Sequence, residues 1–433
     1  FPYLCAKDGG GLFLIVYLAL VLSFGFVLLT TDIAIGRHTK QNALKAFGTL
    51  NSKWKFLGYL TFLVPALIMT YYSVIGGWIT KYFCTYVVSD GSILSQDSYF
   101  TSFITSKFSP IVFMLLFLAL TAWVVYRGVE KGIEKFSRFI MPGLILLILG
   151  IAIFSLTLSY TDANGTVRTG LQGLKVYLYP DFSSLTVKRF LGVLLDAMSQ
   201  LFFSLSVSMG IMVTYGSYVK DDVDLNKSIN QIEIFDTGVA FLAGMMIIPA
   251  VFVFLGTDGM ASGPSLIFIT LPNVFNAMAG GRLWGTLFFL FMTFASLSTV
   301  IAVFENIISF IMDLKGWDRK KAVLINLVGV LVLSMPCVLG YNVWSGITPL
   351  GAGSTILDLE DFIVSNNLLP LGSLVYLLFC TTKLGWGYEN FLKETNTGKG
   401  MKFPRQIAFY VKYILPLIVL FIFVMGYYTK FFA

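Results

Sequence analysis

Between Ser204 and Gly210 the chain reads SLSVSMG, which puts Ser204, Ser206, Ser208 and Gly210 on alternate positions inside the apolar run 189–218. Serine side chains compete for backbone hydrogen bonds and glycine weakens a helix, so this stretch predicts a weak point in a helix. Packing of small residues against a neighbouring helix would account for it. So would a discontinuous helix, whose free N–H groups hold an anionic ligand and whose free carbonyls hold a cation. Two other segments favour the second account. FASLSTVIAVFENII sets Ala295, Ser298 and Thr299 within about one helical turn, offering a carbonyl and two hydroxyls to a hard monovalent cation. Asp236 stands well inside the apolar stretch 228–256, where a carboxylate is costly and marks either a functional site or a structural bond to a neighbouring helix.

Other polar residues have blander readings. Asp32 and Glu233 are placed near span ends, where solvation is cheap, and Glu305 lies deeper and is expected to bond within a helix bundle. Asp358, Glu360 and Asp361 form an acidic cluster expected to be solvated. Gly132 and Pro142 bracket nine residues at the entry to the apolar segment 136–159, where a weakened turn and a missing backbone bond fit helix-end fraying or local unwinding. The single histidine, His38, is expected in a loop, so neither a histidine metal site nor a Ser-His-Asp triad can be assembled. Cys5, Cys84, Cys337 and Cys380 are scattered and read as small packing residues, and Asn164 in NGT matches a glycosylation acceptor at the level of chance. No catalytic constellation emerges, so an enzyme is not expected.

These residues are carried by apolar segments at 11–36, 57–88, 109–126, 136–159, 189–218, 228–256, 283–312, 321–339, 362–382 and 408–429. That makes ten complete spans after a short stub at 1–8, each near the ~20 residues a membrane helix needs. Composition agrees. Only 12% of the 433 residues are charged, about half the ~25% of a soluble domain, while 57% are hydrophobic. Disorder, collagen, a disulfide scaffold and a nucleic-acid binder are excluded by the same numbers. A β-barrel is excluded because the runs are apolar on every face. Of the 30 basic residues, 21 lie in alternate connections, which become cytoplasmic by the positive-inside rule. The net charge of +7 then describes topology and contact with anionic lipid. On this orientation the C-terminus is extracellular, and the connector 259–281 is external but apolar enough to dip into the protein. A start at FPYLCAKDGGG, with neither initiator Met nor signal sequence, predicts one further half-span entering from a cytoplasmic N-terminus.

FPYLCAKDGGGLFLIVY, TYYSVIGGW, GVEKGIEKFSRFIMP, YPDFSSLTVKRF, LFFSLSVSMGIMVTYGSYV, FASLSTVIAVFE and LDLEDF resemble, in order, segments of the neurotransmitter:sodium symporters. The resemblance runs over essentially the whole chain. It implies an all-α polytopic membrane protein with the LeuT-like inverted repeat of five plus five helices and an eleventh helix. Residues 1–159 would form the first repeat without the N-terminal half of its first helix, 189–382 the second, and 408–429 the last helix, all within one transport domain.

The resemblance also implies roles. One sodium ion would use Ser204 and Asp236, where family members usually have Asn at the latter position. A second would use the Ala295 carbonyl with the Ser298 and Thr299 hydroxyls. Tyr72 matches the tyrosine that binds the substrate carboxylate and closes the outer gate with Phe203. Ile68, Phe203, Ser206, Met209, Thr299 and Val303 match the side-chain pocket. Asp361 and Asp313 match the acidic halves of an external and a cytoplasmic salt bridge. The unwound first-helix segment, with its Asn, carbonyls and gate arginines, should immediately precede Phe1. Tyr17, Gln200, Ser204 and Asp236 match the positions that surround chloride in animal members, and the fixed charge of Asp236 predicts chloride independence. The expectation is thus a sodium-coupled symporter for hydrophobic L-amino acids in the plasma membrane, with sodium and lipid as its partners, no organic cofactor and no obligate protein partner. A substrate-sensing receptor on the same scaffold, or a symporter of another small amine or zwitterion, is the alternative.

Overall fold

The apolar segments fold as helices whose lengths match or exceed a bilayer. The computed structural model describes residues 1–161, 165–182, 185–256 and 266–431, and among these nine helices are long and apolar enough to cross a membrane. After the short α1 (Pro2–Lys7) come α2 (Gly11–Thr39), α3 (Ser52–Val88), α4 (Ser109–Tyr126) and α5 (Val129–Thr157). The fifth expected span, 189–218, is broken in two, α6 (Val187–Ser204) and α7 (Ile211–Tyr218). It is followed by α8 (Leu225–Leu255), α9 (Gly281–Lys315), α10 (Arg319–Leu339), α11 (Ile356–Thr381) and α12 (Arg405–Tyr428). Apolar side chains on all faces explain this arrangement: in hydrocarbon every backbone polar group must be satisfied within its own segment.

A two-stranded hairpin, Ser159–Thr161 paired with Val167–Thr169, follows α5. Asn164 lies outside the described residues, as does the start of the 259–281 connector, whose remainder forms a helical stretch at Leu266–Ala277 that is too short to span. All four cysteines are free thiols.

The core is organised around α3 and α9, which pack along each other, with α4 and α10 against the same pair. The other tight crossing joins α2 to α7. There Gly36 lies on the carbonyl of Val213, where an added Cβ would come within 1.9 Å, so only a residue without a side chain permits the approach. The half-helix α7 is thereby fastened to α2 by its backbone, while α6 packs on the N-terminal part of α2 and on α11.

Three expectations about charge are corrected by the fold. Asp32 and Glu233 are buried rather than solvated at span ends, because their helices turn those positions inward. Arg37 and His38 belong to the last turns of α2, not to a loop, and Arg37 is completely buried. Its Nε donates to Oε1 of Glu394 at 2.7 Å, its Nη1 to the Val223 carbonyl at 3.1 Å, and its Nη2 to the Glu394 carbonyl. His38 Nδ1 lies 2.8 Å from the other carboxylate oxygen of Glu394. This cluster ties the basic end of α2 to the helix Tyr388–Thr395 and to the connection between α7 and α8. Glu360 is likewise not solvated: it accepts hydrogen bonds from Thr70 and from the Cys337 thiol at 3.1 Å. Asp358 instead completes a capping box with Thr355 at the start of α11. Glu305 bonds within the bundle as expected, in a two-pronged pair with Arg319 at 2.5 and 2.8 Å.

Candidate functional site

The weak point between Ser204 and Gly210 is a true interruption. Ser206 and Ser208 adopt left-handed backbone at φ 54° and 61°, and Gly210 follows at 72° as the N-cap of α7. Left-handed serine costs free energy and persists only where the surroundings impose it. Three side chains outside the segment do so. The carboxylate of Asp32 accepts the Ser208 N–H at 2.8 Å. The amide of Asn306 donates to the Met209 carbonyl at 3.1 Å, while its oxygen accepts from Thr214 at 2.5 Å. Ser208 donates to Ser373 at 3.0 Å. Asn306 and Ser373 were not singled out by sequence reasoning, and Asp32 was read only as a solvated acid near a span end; an acid or amide inside an apolar run was the available signal for Asp32 and Asn306.

Beside the break, Ser204 Oγ donates to Oδ2 of Asp236 at 2.7 Å, so the two residues of the first expected ion site meet across α6 and α8. A hydroxyl that donates to a carboxylate keeps its lone pairs for a cation. Tyr17 is fully buried within electrostatic reach of Asp236 and beside Ser204. A carboxyl group held covalently on α8 therefore stands at the end of the broken helix.

Ala295, Ser298 and Thr299 lie within about one turn of α9, and both hydroxyls converge on the Ala295 carbonyl at 2.8 and 3.3 Å. Three oxygens thus lie together in α9. Tyr72, on α3, packs its ring on Phe203 with centroids 6.1 Å apart, and its hydroxyl lies near Thr299. Ile68, Met209 and Val303 are buried in the same core, and Ser206 is partly buried within the break.

The remaining expected residues sit nearer the ends. Asp361 accepts from Ser365 at 2.9 Å. Asp313 faces Lys45 at 3.7 Å with both side chains partly exposed. Gly132 lies in a π-helical first turn of α5, Val129–Glu134, against the Val124 carbonyl, where a Cβ would come within 2.1 Å. Pro142 is inside the following α-helix, so the segment from Gly132 to Pro142 is wound here.

A family model described as "Sodium:neurotransmitter symporter family" matches residues 1–93 and 100–431. A sodium-dependent transporter of Bacillus subtilis, YhdH, is 34% identical over 432 residues, covering 98% of this chain and 91% of that protein. A rat sodium- and chloride-dependent taurine transporter is 24% identical over 428 residues, 86% of this chain and 65% of its own length. Among solved structures, the crystal structure of MhsT in complex with L-phenylalanine superposes with a TM-score of 0.84 at 32% identity, over 98% of this chain and 94% of that one. The fold is the LeuT-like inverted repeat, and a broken helix braced beside a carboxylate–hydroxyl pair is the arrangement of a transporter, not of an enzyme. The chain belongs to the sodium:neurotransmitter symporter family and is a sodium-dependent membrane transporter.

Proposed function

We propose that the protein is a sodium-coupled, chloride-independent importer of hydrophobic and aromatic L-amino acids. The observation that carries this reading is the left-handed break at Ser206–Gly210, set between the Ser204–Asp236 pair and the Tyr72–Phe203 rings. The free ends of a broken helix favour a zwitterion, and the apolar surround of Ile68, Phe203, Met209 and Val303 favours an uncharged side chain. Ser206 and Thr299 complete that pocket. Met209 is a flexible wall, which suits several side-chain shapes. That MhsT has been crystallised with L-phenylalanine supports the same substrate class.

Two sodium ions are assigned, one to Ser204 and Asp236, the other to the Ala295 carbonyl with Ser298 and Thr299. Tyr72 takes the substrate carboxylate and closes the outer gate with Phe203. Asp361 serves the outer gate and Asp313 the inner one. Occupied ion and substrate sites favour closure outside and opening inside. Each charge moving down the membrane potential supplies about 2.3 kcal/mol per 100 mV, about 50-fold in concentration ratio. The basic end is placed in the cytoplasm and the C-terminus outside, in the plasma membrane, with 1–159 and 189–382 as the two repeats and 408–429 as the added helix.

Uptake of labelled L-phenylalanine should be competed by leucine, tryptophan and methionine. Preferential competition by glutamate, lysine or glycine would contradict the reading. Gly132 and Pro142 are assigned to the release path: unwinding between them admits cytoplasmic water to the second ion. Pro142→Ala restores a backbone donor and stabilises the wound form by about 3 kcal/mol at most. Sodium release and amino-acid exchange should then slow by at least about tenfold, with equilibrium sodium binding retained. Unchanged exchange kinetics would remove this role.

A further inference from the structure

We infer that a crevice at the basic end of α4, α5 and α10 binds the headgroup of an anionic phospholipid and thereby holds the first turn of α5 in its wound form. The crevice encloses about 1000 Å³. Five cationic side chains line it: Arg127 at the end of α4, Lys131, Lys135 and Arg138 on α5, and Lys320 on α10. Two carboxylates, Glu130 and Glu134, also line it, and Glu134 is engaged by Arg138 at 2.6 Å. An excess of three positive charges from three helices therefore faces one concavity.

The aromatic residues around it place that concavity at headgroup depth. The Arg127 guanidinium sits over the Trp123 ring at 4.2 Å, and the Lys320 ammonium lies 5.7 Å from the Tyr126 ring centroid. Trp123 and Tyr126 are both exposed at the end of a membrane helix, where tryptophan and tyrosine mark the water–lipid boundary. Phe139, 81% exposed, continues the apolar surface along α5 toward the bilayer interior. A phosphodiester in the crevice could thus keep its acyl chains against Trp123 and Phe139. Free phosphate would gain the charges without that apolar contact, which is why a lipid is the chosen occupant. Basic pockets between membrane helices on the cytoplasmic side have this chemistry.

The position gives the lipid something to act on. Lys131 lies within the π-helical turn and Lys135 directly after it, whereas Arg127 and Lys320 belong to neighbouring helices. One anion bridging them opposes separation of the α5 entry from α4 and α10. The assignment of this end to the cytoplasmic leaflet rests on the orientation proposed above, but lipid binding by the purified protein is measured without reference to transport or orientation.

Native mass spectrometry of the detergent-purified protein, titrated with phosphatidylglycerol or phosphatidylcholine, tests the site. Each basic side chain contributes about fivefold, so phosphatidylglycerol should bind on the order of 100-fold more tightly. K131Q/K135Q/K320Q should abolish that preference. K53Q/K55Q/K383Q, which removes the same charge from exposed lysines elsewhere at this end, should keep it, and added inorganic phosphate should not displace the lipid. Equal affinity for the two lipids, an unchanged preference in the first variant, loss of preference in the second, or displacement by phosphate would each overturn the site. Hydrogen exchange over 129–142 should slow when phosphatidylglycerol is bound, and unaltered exchange would overturn the effect on the turn.

Discussion

Replacing Asp236 with asparagine is expected to raise the half-saturating sodium concentration by on the order of 10- to 100-fold and to make uptake depend on chloride. The variant keeps an acceptor for Ser204 but removes the negative charge that the pair presents beside the broken helix. A hydrogen-bonded charged group is worth about 1.5–3 kcal/mol, and this sets the size of the effect. Tyr17, Gln200 and Ser204 would then surround a spot that lacks its own anion, and external chloride can supply one. Initial rates of sodium-driven uptake in chloride and in gluconate, over a range of sodium concentrations, measure both consequences. Robust uptake by Asp236→Asn that ignores chloride would sink this account of the charge balance.

The second large effect is on stability. Glu394→Gln leaves the Arg37 guanidinium, which is 0% exposed, without a countercharge, while His38 loses the same partner. An uncompensated buried charge costs about 3–5 kcal/mol. For a chain of this size the apparent melting temperature should fall by about 3–5 °C. Replacing both partners by apolar residues, R37M/E394M, should recover most of the loss, because no buried ion remains. A single variant that melts with the wild type would show that water reaches Arg37 and that the cluster does not fasten α2 to the helix Tyr388–Thr395.

These two residues mark the limit of what the sequence makes legible. Spans follow from hydropathy because lipid imposes one length and one helix type on every crossing, and the break at Ser204–Gly210 follows from serine and glycine chemistry that acts locally. The pairing of Ser204 with Asp236 was accessible through resemblance, although 32 residues separate them. Arg37 and Glu394 are 357 residues apart, so nothing local distinguishes Arg37 from the basic residues of a loop. Asp32 and Glu233 show a related limit: depth along a helix can be read from an apolar run, but whether a side chain points to bilayer edge or bundle interior depends on packing. Asp32 could have been ranked with Asp236, since an acid within an apolar helix carries the same cost at either position. Glu360 escaped because its partners, Thr70 and Cys337, come from two other helices.

Location of these groups also separates stability from transport. Asp32 and Asn306 hold the break in place through its backbone and Ser373 through the Ser208 hydroxyl, so they act through Ser208 and Met209. Asp236, Ser298 and Thr299 are the groups assigned to the ions. The distinction predicts that sodium dependence tracks the second group, whatever the damage done by changing the first.

The central claim, that sodium binding at this site drives accumulation of a hydrophobic amino acid, is tested most directly in proteoliposomes. Labelled L-phenylalanine uptake should be followed with sodium outside and potassium inside, with an imposed inside-negative potential, and with chloride replaced by gluconate. The account predicts saturable accumulation above the external concentration, collapse when sodium is equal on both sides and the potential is dissipated, and no change on removing chloride. Uptake that merely equilibrates, or that proceeds equally without sodium, would contradict it.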